Sequence, residues 1–134
     1  MSAKPETTFI HSIHKHLPSA LYRMKNNNPY TGGVPDVWYS GSLGDLWVEY
    51  KFLPRVPQRG SVRPAELLSP LQTEWLRGRH KEGRAVAVII GCPTGGAILL
   101  DPDEWGADLS ASEYTQRMLD RKSIASWLER TTMR

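Results

Sequence analysis

Three charged residues in two short segments have the types and spacing needed for metal-assisted chemistry. Asp36 follows a proline, and Glu49 and Lys51 lie two positions apart in a stretch that reads as a strand. Because successive strand side chains point to opposite faces, Glu49 and Lys51 share one face. If the segment ending at Asp36 pairs with that strand, two carboxylates and an ammonium meet at one spot. Such a set can hold a divalent cation and place a lysine beside a phosphate, so it suits phosphodiester hydrolysis.

Each of these residues also has a simpler interpretation. Asp36 could simply stabilise a turn after Pro35. Glu49 and Lys51 could form an ordinary ion pair on an exposed strand. Their joint occurrence in this order favours the metal site over both alternatives.

The hydrophobic pattern predicts an α/β fold, in which a sheet carries helices on its faces. The order along the chain is helix, three strands, long loop, helix, two strands and terminal helices. The helices are predicted to begin at Pro5, at the Ser69–Gln72 capping box and at the Ser110–Glu113 capping box, with a last one over residues 123–130. The apolar side of the helix that begins at Ser69 is predicted to consist of Leu71, Trp75 and Leu76. The strands are predicted over residues 21–25, 36–39, 46–52, 85–90 and 96–100.

The long loop, residues 54–68, carries three arginines close to the candidate site: Arg55, Arg59 and Arg63. Loop arginines are commonly only solvated, but beside a metal site they favour contact with a DNA backbone. No acidic residue lies between positions 51 and 63, whereas residues 101–108 are acidic and lack a basic residue. With a net charge of +3, the sequence predicts a polarised molecule with one face suited to phosphates.

The composition limits the protein class. A chain of 134 residues with 23% charged side chains predicts one folded domain. The single cysteine, Cys92, excludes an intramolecular disulfide and a cysteine-based zinc site. No stretch approaches the roughly 18 apolar residues of a membrane span, and the first residues lack a signal-peptide pattern. We therefore expect a soluble protein in the cytoplasm of a bacterium or of a phage-infected cell, with no membrane partner.

The two segments resemble the PD-(D/E)xK nuclease superfamily through Pro35-Asp36 and Glu49-Tyr50-Lys51. With Glu6 in the first helix and Gln72 in the helix before a buried strand, the chain is similar to virus-type replication-repair nuclease (VRR-NUC) domains of the small stand-alone phage and bacterial type. The resemblance covers about residues 5–100. It implies one nuclease domain over residues 1–134, with an αβββαβ core over about 5–100. Residues 101–134 form a terminal helical extension that matches no motif.

The resemblance implies an endodeoxyribonuclease that depends on Mg²⁺ or Mn²⁺. On the family pattern, Asp36 and Glu49 bind the metal together with the backbone carbonyl of Tyr50. Lys51 is then the catalytic lysine, which positions or activates the attacking water.

The same resemblance assigns Glu6 as an accessory acid and Gln72 as a polar contact at the site. Both residues have structural alternatives. Glu6 complements the dipole of the first helix, and a capping box requires Gln or Glu at position 72 whatever the function.

Small phage members of this family act as dimers on branched DNA such as four-way junctions, and larger members act on flaps. The resemblance therefore implies branched DNA as partner and a homodimer, and tryptophans are candidates for its interface: Trp38, Trp47, Trp105 and Trp127. Three alternatives stay open. The chain could be a nuclease for flapped, nicked or single-stranded DNA, a catalytically silent nucleic-acid-binding module of the same fold, or an interaction protein that recruits a partner through its acidic segment.

Overall fold

The computed structural model describes residues 4–26 and 32–133 and contains one five-stranded mixed sheet. Its strands are β1 (Tyr22–Lys25), β2 (Val37–Ser40), β3 (Asp45–Phe52), β5 (Val86–Cys92) and β6 (Gly95–Leu99). They lie side by side in that order, and every neighbouring pair is antiparallel except β3 and β5, which are parallel. A second sheet pairs two short strands, β4 (Ser61–Val62) and β7 (Leu109–Ser110). The strand β3 is therefore the central strand of the main sheet.

Helices cover both faces of this sheet. They are α1 (Pro5–His14), α2 (Pro64–Leu67), α3 (Pro70–Lys81), α4 (Pro102–Gly106), α5 (Ala111–Arg117) and α6 (Arg121–Thr132). One buried cluster joins α1 and α6 to one face, and a second joins α3, α4, α5 and the small sheet to the other. The α/β fold predicted from the sequence is confirmed. No helix in the described part of the chain is long and apolar enough to span a membrane.

Close packing of α1 on the sheet depends on glycine. A methyl group added at Gly91 in β5 would come within 2.5 Å of the Phe9 ring. The ring of Phe9 also meets Tyr50 of β3 edge to face, with centroids 6.3 Å apart. The absence of a side chain at Gly91 thus lets α1 lie close behind the central strands.

The structure corrects three details of the sequence prediction. The segment 54–68 is not only a loop, since it contains β4 and α2, and β4 is paired with β7. Neither α4 nor β7 was predicted beyond residue 100. Leu71, expected on the apolar side of α3, is 58% exposed, whereas Leu76 of the same helix is fully buried.

The terminal residues are built into the core. Helix α6 packs on α1 and β3, and its Arg121 Nε donates to Ser12 Oγ at 2.7 Å. Tyr114 of α5 is buried on the other face and donates its hydroxyl to the Ile90 carbonyl at 2.7 Å. Residues 101–133 therefore complete both hydrophobic clusters.

Candidate active site

Asp36 lies where the pairing of β2 with β3 ends. The last paired residues are Val37 and Val48, so the register continues with Asp36 opposite Glu49. Asp36 Oδ2 accepts a hydrogen bond from the Tyr50 backbone N–H at 2.9 Å. This bond joins two strands instead of closing a local turn, so turn chemistry alone does not account for Asp36.

Glu49 is buried although its side chain is ionisable, with only 2% of the residue exposed. Its Oε2 lies 3.3 Å from Lys51 Nζ and accepts a hydrogen bond from Gln72 Nε2 at 3.0 Å. Its Oε1 is buried and has no hydrogen-bond partner among the residues that the structure describes. Buried polar atoms are nearly always paired. An exposed surface ion pair therefore does not describe Glu49 and Lys51.

Burial and the charge of Asp36 raise the pKa of two carboxyl groups at the site. Burial, followed by the negative charge of Asp36, raises the pKa of Glu49 to about 8, against the opposing effect of the Lys51 ammonium. The strand register, which continues with Asp36 opposite Glu49, accounts for the effect of Asp36 on this pKa. Burial and then the charge of Asp36 also raise the pKa of Glu6, which interacts with Lys51 as well. Glu6 therefore borders the site from the first turn of α1.

Both the oxygen and the nitrogen of the Gln72 side-chain amide form hydrogen bonds. Its Oε1 accepts the Ser69 backbone N–H at 2.9 Å, and the Gln72 backbone N–H donates to Ser69 Oγ at 3.1 Å, which completes the predicted capping box. Its Nε2 donates to Glu49. Gln72 thus both caps α3 and contacts the candidate site. Its bond to Glu49 links the start of α3 to that buried carboxyl group.

The oxygen donors of the site fit a small divalent cation. Within a strand, the N–H and C=O of one residue face the same neighbour, so the Tyr50 carbonyl opens on the side of Asp36, where β2 has ended. Among residues 4–26 and 32–133, no three Asp, Glu, His or Cys side chains are placed to hold one ion. Mg²⁺ needs only one or two protein carboxylates, because waters and substrate phosphate complete its shell. The carboxyl groups of Asp36 and Glu49, the latter with its Oε1 unpaired among the described residues, and the Tyr50 carbonyl meet that requirement.

A buried chain of hydroxyl groups behind the site was not predicted from the sequence. Tyr39 of β2 and Tyr50 of β3 share a hydrogen bond of 2.6 Å, and His14 Nε2 lies 2.7 Å from the Tyr39 hydroxyl. Burial, with smaller effects from nearby basic groups, lowers the pKa of His14 to about 4, so this histidine is neutral at pH 7. The available signal was a tyrosine on the inward face of each strand, because buried hydroxyls require partners. The chain ties α1 to the strands that carry Asp36 and Glu49.

Tyr39→Phe is expected to destabilise the protein by about 1–3 kcal/mol, because the Tyr50 hydroxyl would be left buried without its partner. Urea unfolding monitored by tryptophan fluorescence measures this change. Tyr22→Phe is the matched control, since Tyr22 is 54% exposed and its loss of a hydroxyl should cost less than about 0.5 kcal/mol. Equal midpoints for the two variants would show that the hydroxyl chain does not stabilise the fold.

The three predicted DNA-binding arginines differ in their surroundings. Arg63 lies 3.2 Å from Glu66 and 3.6 Å from Asp108. Arg55 and Arg59 are exposed, and neither forms an ion pair with a residue that the structure describes. The expected separation of basic and acidic segments is thus incomplete, because the acidic segment reaches Arg63 through Asp108. Of the three loop arginines, Arg55 and Arg59 therefore carry the positive charge that no described acidic residue offsets.

The fold is that of a known nuclease structure. The chain is similar to Hjc, a Holliday junction resolvase from the archaeal hyperthermophile Archaeoglobus fulgidus, with a TM-score of 0.54 over 92% of this chain and 97% of that chain. Sequence identity is 16%, so the likeness shows a shared fold and no more. No family model matches the chain, and no curated protein matches it in sequence. The VRR-NUC assignment therefore stays a prediction, whereas the predicted fold class, a mixed sheet flanked by helices, is confirmed and is shared with that resolvase.

Proposed function

We propose that this chain is a metal-dependent, structure-selective endonuclease that hydrolyses phosphodiester bonds in branched DNA, including four-way junctions. One observation carries the proposal: Glu49 is buried opposite Asp36, with one oxygen shared by Lys51 and Gln72 and the other without a partner among the described residues. Burying such a carboxylate is unfavourable, and strongly shifted acids of this kind cluster at functional sites. The resolvase activity of the protein with the same fold supports the choice of substrate.

In this proposal, Asp36, Glu49 and the Tyr50 carbonyl would hold Mg²⁺ or Mn²⁺. The bound ion would supply Lewis-acid activation of water and offset charge on the phosphate. Lys51, 21% exposed, is positioned to contact the scissile phosphate or to orient the attacking water. Gln72 holds the Glu49 carboxylate in place, and Glu6 adds negative charge at the border of the site.

The proposal is tested with a panel of DNA substrates incubated with and without Mg²⁺ and Mn²⁺. The panel contains a four-way junction, a flap, a nicked duplex, a single strand and a continuous duplex. We expect metal-dependent cutting of the junction in preference to the continuous duplex. Preferred cutting of flaps or single strands would change the assigned substrate. Binding without cutting under every metal condition would leave a silent binding module of the same fold.

Arg55→Ala and Arg59→Ala are each expected to weaken DNA binding and to reduce the slope of log affinity against log salt by about 1, because each removes a phosphate contact. Arg63→Ala should change the slope less, since Glu66 and Asp108 already offset its charge. Fluorescence anisotropy at several salt concentrations measures these slopes. Arg77→Ala, on the exposed side of α3, is the control. Unchanged slopes for Arg55→Ala and Arg59→Ala would mean that these side chains are only solvated.

A homodimer is the second part of the proposal, and its interface is predicted on the face formed by Tyr22, Met24 and Trp38. Tyr22 is 54% and Met24 41% exposed, and Trp38 contacts Tyr22 edge to face. The Trp38 indole N–H is buried without a partner among the described residues. Trp105 is excluded from the candidate interface, because it is buried and donates to the Leu99 carbonyl.

Light scattering at micromolar concentration should therefore report the mass of a dimer. A two-fold dimer would carry the two active sites that symmetric cutting of a junction requires. Tyr22→Asp should weaken this dimer by about tenfold or more, whereas Leu43→Asp, at an exposed position of the β2–β3 connection, should not. A monomer with and without junction DNA would refute the dimer.

A further inference from the structure

An open cleft of about 790 Å³ lies beyond the end of β3. Five of its lining residues are apolar: Leu53, Pro54, Pro57, Val62 and Leu67. The other four lining residues are polar, namely Arg55, Ser61, Arg63 and Glu66, and Glu66 lies 3.2 Å from Arg63. A volume of this size is typical of sites that take a small organic ligand, and mostly apolar walls with a few placed charges are typical of their chemistry.

The cleft follows Glu49 and Lys51 along the same face of the extended chain. Leu53 continues the pairing with β5, since its N–H donates to the Gly91 carbonyl at 2.7 Å. Leu53 and Trp47 both pack against the hydrophobic cluster on the α3 side of the sheet. Strand alternation places Glu49, Lys51 and Leu53 on that face. Two residues of strand advance about 6.7 Å, so the cleft begins within roughly one nucleotide of Lys51.

The walls of the cleft are fixed by pairing in the rest of the protein. Strand β4 pairs with β7, and the Ala111 N–H donates to the Gly60 carbonyl at 3.0 Å. Val62 of β4 is buried in the hydrophobic cluster that also includes Leu109. The cleft is therefore preformed, which reduces the ordering cost of binding a ligand there.

We infer that this cleft holds one unpaired nucleotide next to the scissile phosphate, with the base between the apolar walls and its phosphate against Arg55. This inference rests on the proposed function and specifies its substrate. Contacts to duplex phosphates make no use of an apolar cleft, whereas an unstacked base gains from apolar and stacking contact. Arg55 supplies the complementary charge because it has no ion-pair partner in the part of the chain that the structure describes. The protein would thus select DNA with an unpaired nucleotide flanking the cut.

The test combines binding and cutting of two branched DNAs that differ only in whether the nucleotide flanking the cut is paired. That nucleotide is 2-aminopurine, whose fluorescence rises when it leaves the base stack. The rise is read without added metal, so it is independent of cleavage. Leu67→Trp fills the cleft from a partly buried wall position, and Leu43→Trp is the matched control at an exposed position outside the cleft.

We expect wild type and Leu43→Trp to give the fluorescence rise and to cut the unpaired substrate faster. Leu67→Trp should lose the rise and about tenfold in kcat/KM on that substrate, while its thermal unfolding remains cooperative. Wild-type cutting with no fluorescence rise, or full activity of a folded Leu67→Trp, would overturn the inference and leave the endonuclease proposal intact. A fluorescence rise without cutting in any metal would support the cleft assignment and refute the nuclease. Absence of both binding and cutting would overturn both.

Discussion

Lys51→Ala is expected to lower the rate of cleavage by about 10²–10⁴-fold, while DNA affinity changes by less than about fivefold. The reason is that Lys51 is one charge among several facing the DNA, whereas its position beside Glu49 is unique in the site. Since the Lys51 ammonium lowers the pKa of Glu49, its removal should also move the pH profile of residual activity towards higher pH. Single-turnover cleavage at saturating protein, measured from pH 6 to pH 9, separates these effects.

Lys81→Ala provides the matched control, because Lys81 is exposed in the last turn of α3. Its rate, affinity and pH profile should match those of the wild type. If Lys51→Ala lost binding and cleavage in equal proportion, the lysine would be a phosphate contact and not a catalytic residue. An unshifted pH profile would contradict the assigned contact with Glu49.

Glu49→Gln is expected to abolish metal-dependent cleavage and to stabilise the metal-free protein at pH 8. In the folded protein the pKa of Glu49 is about 8, above its ordinary value of 4.5, so folding retains a proton that the unfolded chain releases between those values. Relative to Glu49→Gln, the free energy of unfolding of the wild type should therefore fall as pH rises from about 5 to 8, by several kcal/mol at most, because the lowered pKa of His14 contributes equally to both proteins. Glutamine cannot ionise, so the variant should lose this dependence.

The effect of added metal on the melting temperature tests the same carboxyl group in a second way. Mg²⁺ or Mn²⁺ should raise the melting temperature of the wild type, more strongly at pH 8 than at pH 6, because binding requires the ionised carboxylate. The same addition should leave Glu49→Gln unchanged. Glu74→Gln, on the exposed side of α3, should behave as the wild type in both respects. A metal-induced shift that persists in Glu49→Gln would place the ion elsewhere.

Local patterns were sufficient to predict the elements that form the site. The alternation in β3 placed Glu49 and Lys51 on one face, and the capping box placed Gln72 in the first turn of α3, as the structure has them. These signals are reliable because each depends on residues that are close in sequence. The near-continuous apolar run of β5 likewise predicted a strand buried on both faces.

The missed features depend on contacts between distant parts of the chain. Strand β4 exists because residues 61–62 pair with residues 109–110, and no local pattern marks a strand of that length. The Tyr39–Tyr50 hydrogen bond and the contact of Arg63 with Asp108 require the folded arrangement in the same way. The cleft could not be predicted for the same reason, since its walls come from the segment after β3, from β4 and from α2 together.

The central position of β3 has a consequence for how activity is lost on heating. Amides of a central strand exchange with solvent mainly through global opening, whereas short edge pairings open in smaller fluctuations. Glu49, Tyr50 and Lys51 belong to the central strand. One wall of the cleft is held instead by the pairing of β4 with β7, which involves only two residues of each strand. Warming should therefore loosen the cleft before it disturbs the carboxylates, so that discrimination among DNA structures is lost at a lower temperature than hydrolysis itself.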